Sequence, residues 1–168
     1  VLDGQSATSI MNATNYNAGF VVRGLTFKNG AGATGNTASS GLKFNGRETI
    51  INHCVFDSCK SANGGAINAN YTTYDSTISN CLFKNCEATT NGGAYYSYQT
   101  PSLTINNCTF DTCKAAAGGA LYFNTATTKT INNCIFTNCE ATVYGASIRN
   151  VASSVVNILN CTFGPTTS

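Results

Sequence analysis

The segment INNCTFDTC, residues 105–113, contains the unit that decides the fold, and close copies of it recur along the chain. Its phenylalanine returns every 26 to 29 residues, at Phe27, Phe56, Phe83, Phe110, Phe136 and Phe163. Five residues before each phenylalanine stands an aliphatic residue, namely Val22, Ile51, Ile78, Ile105, Ile131 and Ile158. Such a fixed period indicates one supersecondary unit stacked on copies of itself, because a single unit cannot bury its own apolar face.

The residues between the phenylalanines indicate the type of repeat. Each period carries short runs of β-branched residues separated by Asn, Gly and Ser, and most have a glycine cluster where a leucine-rich repeat would place a helix. A period near 27 residues with three short strands per turn is typical of a parallel β-helix. The sequence therefore predicts an all-β, right-handed parallel β-helix (a solenoid) of about six coils, forming a single domain over residues 1–168.

Two motifs predict the corners of each coil. A polar column three residues before the phenylalanines consists of His53, Asn80, Asn107, Asn133 and Asn160. Because Asn tolerates left-handed backbone angles, we expect a corner here, and we interpret His53 as a corner residue rather than a catalytic base. A second motif, Gly-Gly-Ala at 64–66, 92–94 and 118–120, predicts a tight corner followed by a small buried side chain.

The Gly-Gly-Ala motif is combined with the phenylalanine motifs FDSC, FKNC, FDTC and FTNC. This combination resembles the repeats of the chlamydial polymorphic outer-membrane protein family and its β-helical relatives. The likeness covers about residues 41–163, although the chain has Cys where that family's phenylalanine motif ends in Asn. The resemblance implies a surface-exposed adhesive or structural protein, with no cofactor and no catalytic residues to carry over.

Nine cysteines form two further columns, one two residues before the phenylalanine and one three residues after it. Four coils carry both members and the first carries neither, which predicts a disulfide within each coil. The predicted pairs are Cys54–Cys59, Cys81–Cys86, Cys108–Cys113 and Cys134–Cys139, with Cys161 unpaired opposite Thr166. A ladder of free cysteines acting as small apolar filler is the alternative. The CxxxxC spacing does not favour zinc.

The charges exclude two classes of partner. Only 10% of the residues are charged and the formal net charge is +2, with no basic run, so we expect neither nucleic acid nor an anionic membrane surface as a partner. No segment approaches the apolar length of a transmembrane helix, so we expect no membrane insertion. Two columns alternate in sign from coil to coil, which fixes their register: Lys28, Asp57, Lys84, Asp111, and Lys60, Glu87, Lys114, Glu140.

Two of the acids outside these columns are the candidates for catalysis. Glu48 and Asp75 both stand eight residues before their phenylalanine and are expected on adjacent coils, with Arg47 and Tyr74 beside them. Two neighbouring carboxylates can bind calcium or act as a glycosidase pair. The same column continues with Ser102 and Thr128, which supply too few further ligands, so we predict neither a metal site nor a cofactor.

Four Asn-x-Ser/Thr triplets begin at Asn12, Asn70, Asn107 and Asn160. Together with the regular cysteines and the scarcity of charge, they predict an extracellular, secreted or cell-surface glycoprotein. Asn12 and Asn70 lie in predicted loops, so we expect them to carry glycans in preference to Asn107 and Asn160 in the corner column.

The function predicted from these features is that of a non-enzymatic structural or adhesive rod, with surface glycans among its possible partners. Neither terminus shows a cap, so we expect either one segment of a longer β-helix or ends that contact other copies end to end, as in a filament. The alternative is a carbohydrate-active enzyme on the same fold, such as a pectate-lyase-like lyase or a hydrolase.

Overall fold

A computed structural model describes residues 1–6, 9–16, 18–32, 41–152 and 155–165 of the chain. These residues form 23 β-strands and contain no helix, so none of them belongs to a helix that could span a membrane. The prediction of a right-handed parallel β-helix is confirmed, with about five turns. Each complete turn has four strands rather than the three that the sequence predicts, and the predicted Gly-Gly-Ala corner separates two of them.

The strands follow one another in the same order on each turn. Strand β1 (Leu2–Asp3) precedes the first turn, which contains β2 (Met11–Tyr16), β3 (Phe20–Arg23) and β4 (Thr26–Lys28) among the described residues, and β1 pairs with β4. The second contains β5 (Leu42–Gly46), β6 (Thr49–Asn52), β7 (Val55–Asp57) and β8 (Lys60–Asn63). The third contains β9 (Ile67–Asn70), β10 (Ser76–Ser79), β11 (Leu82–Lys84) and β12 (Glu87–Asn91).

The later turns repeat this order. The fourth contains β13 (Tyr95–Tyr98), β14 (Leu103–Asn106), β15 (Thr109–Asp111) and β16 (Lys114–Ala117). The fifth contains β17 (Leu121–Asn124), β18 (Lys129–Asn132), β19 (Ile135–Thr137) and β20 (Glu140–Tyr144). The remaining strands are β21 (Ile148–Asn150), β22 (Val156–Leu159) and β23 (Thr162–Phe163).

Equivalent strands of successive turns pair in parallel and build four sheets. We call them the Phe sheet (β1-β4-β7-β11-β15-β19-β23), the Ile sheet (β3-β6-β10-β14-β18-β22), the Lys/Glu sheet (β8-β12-β16-β20) and the Tyr sheet (β2-β5-β9-β13-β17-β21). In the Phe and Ile sheets the register follows the sequence period without a shift, so Phe83 pairs with Phe110 and Ile78 with Ile105. The columns of the sequence are therefore ladders in space.

The six phenylalanines of the repeat form one continuous stack. Neighbouring ring centroids lie 4.7–5.0 Å apart and the ring planes differ by 3–6°. This spacing is close to the distance between paired strands, about 4.8 Å, so the backbone ladder alone brings the rings into contact. Five of the six rings are at most 1% exposed, and only Phe163, on the last described strand, is half-exposed.

Left-handed residues turn the chain on both sides of each Phe-sheet strand. The predicted corner at His53, Asn80, Asn107, Asn133 and Asn160 is confirmed, with φ of 51–54°. A second left-handed corner, which the sequence analysis missed, follows each strand at Asn29, Ser58, Asn85, Thr112 and Asn138. Ser and Thr at two of these positions hide the column, since only Asn is readily recognised as a left-handed residue.

Steric constraints require glycine at both of the first two positions of the Gly-Gly-Ala corner. Gly92 has a φ of 63°, and a Cβ on Gly93 would collide with the carbonyl oxygen of Gly119 on the next turn. The alanine that follows, such as Ala94, is fully buried, as the sequence predicts.

Candidate functional site

Free cysteines line the interior on both sides of the phenylalanine stack. All nine cysteines are free, and all except Cys161 are buried. Each sulfur lies 3.1–3.8 Å from two carbonyl oxygens, one two residues earlier and one on the preceding turn. The thiols therefore fill the two corners and donate to backbone carbonyls there.

The structure does not contain the predicted disulfides Cys54–Cys59, Cys81–Cys86, Cys108–Cys113 and Cys134–Cys139. The reason is the three-residue strand between the two members of each pair, β7 between Cys54 and Cys59 for example. An extended strand rises about 3.3 Å per residue, which places the two cysteines about 10 Å apart, beyond the roughly 7 Å that a disulfide can bridge. The alternative of a free cysteine ladder matches the structure. Thr166, predicted to face Cys161, lies outside the described residues.

The Cys113 thiol is unsuited to redox or metal chemistry. Burial raises the pKa of the Cys113 thiol well above its ordinary value, and the neighbouring Cys139 thiol raises it further. A protonated, enclosed thiol is a poor nucleophile and a poor ligand. Among the described residues, no group of three or more His, Cys, Asp or Glu side chains could hold a metal ion.

Asparagine side chains run along the outside of the first corner. Asn80 Nδ2 donates to Asn52 Oδ1 at 3.0 Å, and Asn107 Nδ2 donates to Asn80 Oδ1 at 3.4 Å. His53 is exposed and takes the corner position that asparagine takes on later turns. These hydrogen bonds connect one turn to the next on the surface.

The two alternating charge columns form ion pairs between turns, as expected. Lys84 lies 3.1 Å from Asp57, Lys60 lies 2.9 Å from Glu87, and Lys114 lies 2.8 Å from Glu140. Burial alone would raise the pKa of the Asp57 carboxyl, but hydrogen bonds from Ser58 and Lys84 outweigh it and hold the pKa below its ordinary value.

Glu48 and Asp75, the two candidates for catalysis, are exposed and immediately precede paired strands of the Ile sheet, β6 and β10. Asp75 Oδ1 accepts a hydrogen bond from the backbone N–H of Ser102 at 3.1 Å, so this carboxylate binds the following turn. The Arg47 guanidinium lies 5.0 Å from the centre of the Tyr74 ring. No catalytic role is predicted for Glu48 and Asp75, and their part in an enzyme stays the alternative hypothesis.

Comparison with known families identifies the repeat. The family described as right handed beta helix region matches residues 4–164, nearly the whole chain. The chain belongs to this family. Searches of the curated proteins and of the solved structures found no match. The narrower resemblance to the chlamydial outer-membrane repeats stays a prediction, because the family match covers the β-helix in general.

This β-helix contains a buried lysine that the sequence analysis missed. Lys129 is completely buried at the start of β18. Its Nζ donates to the carbonyl oxygen of Pro101 at 2.6 Å and to Thr127 Oγ1 at 2.6 Å, and it lies 3.3 Å from Thr100 Oγ1. Burial lowers the pKa of the Lys129 ammonium to about 8, and the negative charge of Asp75 opposes this only in part.

A signal for this site was present in the sequence. Lys129 stands two residues before Ile131, and the alternation of a β-strand puts both on the same face. A lysine in phase with an apolar column therefore predicts an inward ammonium that needs several acceptors. Thr125, Thr127 and Pro101 also line a surface depression of about 370 Å³.

Tyrosines cover part of the outside of this β-helix. Tyr96 and Tyr122 point outward from paired strands of the Tyr sheet and stack with their centroids 5.6 Å apart. Tyr71 packs edge-on against Tyr98 at 5.4 Å and is 59% exposed. Tyr71 and Tyr74 thus present exposed aromatic surface near the same corner.

The four glycosylation triplets differ from the predicted arrangement. Asn12 and Asn70 lie in strands β2 and β9, not in loops, and Asn70 is only 6% exposed. Asn12 is exposed, and so are Asn107 and Asn160 at the corner. The preference for Asn70 is therefore wrong on accessibility, because the regular pairing of the Tyr sheet extends as far as Asn70.

Proposed function

We propose that this β-helix is a non-enzymatic structural or adhesive rod that acts outside the cell. The observation that carries the proposal is the uninterrupted phenylalanine stack, flanked by thiol, amide and ion-pair ladders. Each ladder binds one turn to the next. Because the same contacts repeat from turn to turn, they stiffen the rod. The outward residues that take no part in these contacts can differ from one turn to the next.

The extracellular part of the proposal is supported by the four glycosylation triplets and by the low fraction of charge, 10%. The cysteines do not support an extracellular location, because they are free thiols in the structure. Secretion through a eukaryotic host provides the test. We expect glycans on Asn12, Asn107 and Asn160, detected by peptide mass spectrometry, and none on Asn70. Retention of the chain inside the cell without glycans would contradict the extracellular proposal.

Adhesion is supported by the aromatic surface around Tyr71 and Tyr74, since exposed aromatic side chains are the residues that interfaces favour. Binding of the chain to a glycan array or a cell surface provides the test. A Tyr71→Ser, Tyr74→Ser double variant is expected to lose at least tenfold in affinity. The matched control is Val21→Ser, which changes an exposed apolar residue on the Ile sheet.

The proposal includes end-to-end contact with further copies. Ile158 and Phe163 belong to columns that are buried on earlier turns, yet they are 45% and 49% exposed on the last described strands. A rung that continues these columns would cover them, and we propose that a second copy supplies it, with its Leu2 aligned to the phenylalanine column. Such a heterologous contact does not close and produces a filament.

Negative-stain microscopy of the purified chain tests this contact. We expect filaments from the unsubstituted chain and isolated short rods from Phe163→Asp. The control Ile135→Asp also introduces a carboxylate at a half-exposed apolar position, but on the side of the rod, and should leave the filaments intact. Isolated rods from the unsubstituted chain at high concentration would contradict end-to-end assembly.

A carbohydrate-active enzyme is the second candidate, favoured by the placement of Glu48 and Asp75 on adjacent turns. Incubation with polygalacturonate and glucans in the presence of calcium tests it. We expect no turnover. Turnover that is abolished by Glu48→Ala or Asp75→Ala would replace the structural proposal with an enzymatic one.

A further inference from the structure

The outward face of the Lys/Glu sheet carries charges in a regular order. Lys60, Glu87, Lys114 and Glu140 are paired in register on four successive strands, β8, β12, β16 and β20. Their signs along the rod are therefore plus, minus, plus, minus, with about 4.8 Å between neighbours. We call this row the charge ladder.

The charge ladder is accessible from solvent. The side chains of Lys60 and Glu87 are 64% and 47% exposed, and those of Lys114 and Glu140 are 50% and 29% exposed. Each lysine already pairs with one glutamate of its own chain, but the side chains of all four groups remain partly exposed to solvent. An ammonium has three donors and a carboxylate has several acceptor sites, so each group can take a second partner.

The order of the charges makes the charge ladder complementary to itself. If a second copy is turned end for end about a two-fold axis between Glu87 and Lys114, the row reads minus, plus, minus, plus. Lys60 then faces the Glu140 of the other copy, and Glu87 faces its Lys114. A two-fold interface uses the same patch on both subunits, and here every facing pair is opposite in sign.

The surface beside the charge ladder allows close approach. Thr89, Ala116 and Thr142 line a shallow depression of about 320 Å³ next to Lys114 and Glu140. Ala62 and Thr89 line a second depression, of about 190 Å³, next to Lys60. Side chains this short leave room for the long lysine and glutamate side chains of a facing copy.

We propose that the charge ladder face binds the same face of a second copy, with the two rods antiparallel and side by side. This lateral contact goes beyond the proposed end-to-end contact and does not depend on it. The patch measures roughly 300 Å² from its strand number and length, below the about 800 Å² per partner of a stable interface. A single contact is therefore weak and sensitive to salt, and several contacts along joined rods add by multivalency.

Charge reversal provides the test, with sedimentation velocity at low salt as the measurement. Every sample carries Phe163→Asp, so that end-to-end contact cannot contribute. We expect the parent to associate weakly and the association to disappear at high salt. Glu87→Lys and Lys114→Glu each place like charges opposite one another at the centre of the pair, so each alone should associate at least tenfold more weakly.

An equimolar mixture of Glu87→Lys and Lys114→Glu should associate again, because all four facing pairs are then opposite in sign. The outer variants Lys60→Glu and Glu140→Lys repeat the test independently and should behave in the same way. Lys84→Glu, which makes the same charge change on the Phe sheet, is the control and should associate like the parent. The proposal is overturned if the parent does not associate at low salt, or if neither mixture recovers association.

Discussion

Two inward columns of the Ile sheet lie only two residues apart on the same strands, yet their chemistry differs. The first column is aliphatic on every turn and at most 3% exposed up to Ile131; it consists of Val22, Ile51, Ile78, Ile105, Ile131 and Ile158. The second changes from turn to turn and includes polar and charged groups: Phe20, Thr49, Ser76, Leu103, Lys129 and Val156. Both columns face the interior, so burial alone does not decide which residues they accept.

The difference comes from the distance to the turns. The second column starts each strand directly after a turn, and at two turns its side chains reach backbone carbonyls, whereas the Ser76 hydroxyl is buried without a hydrogen-bond partner among the described residues. Thr49 Oγ1 donates to the carbonyl oxygen of Arg47 at 3.2 Å, and Lys129 Nζ donates to that of Pro101 at 2.6 Å. The first column packs within the apolar core. A buried polar group is tolerated where acceptors lie within reach and costs several kcal/mol where they do not.

Moving the lysine from one column to the other should break the fold. Ile105→Lys would bury an ammonium in the first column, and we expect a loss of more than about 4 kcal/mol in the free energy of unfolding, because no turn carbonyls are at hand. Denaturant unfolding followed by circular dichroism measures this loss. The control Ile105→Val should lose only about 1 kcal/mol. A folded Ile105→Lys variant of near-normal stability would refute the distinction between the columns.

Comparison with Lys129→Met should reveal what the buried Lys129 charge costs, because the difference in unfolding free energy between the two chains should depend on pH. Its folded pKa of about 8 lies below the unfolded value of about 10.4, so the native state binds fewer protons between these limits. Across that window the unfolding free energy of the unsubstituted chain, relative to Lys129→Met, should rise with pH by roughly 1 to 3 kcal/mol.

The control for this measurement is Leu103→Met, in the same column, which adds no titrating group and should cost under about 1.5 kcal/mol at every pH. If the difference between the unsubstituted chain and Lys129→Met stayed constant from pH 7 to about 10.5, the ammonium would not be held in a desolvated site.

The thiol columns combine both properties, since they are buried and also donate to carbonyls. Cys108→Ala and Cys113→Ala should each lower the free energy of unfolding by about 1 to 2 kcal/mol, because packing is lost and a carbonyl oxygen loses its thiol donor. Their effects in the double variant should add to within about 0.5 kcal/mol, because a strand separates the two residues. Chemical denaturation of the three variants measures this. If the double variant lost no more than either single one, a disulfide between Cys108 and Cys113 would be indicated instead.

The smallest effect is expected on the outer surface. Lys84→Ala removes the partner of Asp57 and should cost about 0.2 to 1 kcal/mol at low salt, with less effect at high salt. Thermal unfolding at two salt concentrations measures it. The control Lys28→Ala changes an exposed lysine of the same column at the first turn. A salt-independent loss from Lys84→Ala would mean that the packing of its hydrocarbon chain matters more than its charge.

Much of this architecture could be predicted from sequence because equivalent residues share one chemistry. The phenylalanine period predicted the stack, Asn107 predicted the left-handed corner, and the alternating signs of Lys60 and Glu87 predicted the ion pair. The disulfides were predicted wrongly because Cys108 and Cys113 occur together in sequence for separate reasons, each filling its own corner. Joint occurrence in a repeat indicates a shared environment and does not require contact.

The amino-acid sequence by itself determined the period, the inward columns and the absence of helix in the described residues, because each depends on residue types that recur at a fixed spacing. Only the tertiary structure decided the fourth strand of each turn, the carbonyl partners of Lys129 and the burial of Asn70. Those features depend on where neighbouring turns place their backbone. That placement is set by contacts between residues about 27 positions apart, which no local pattern records.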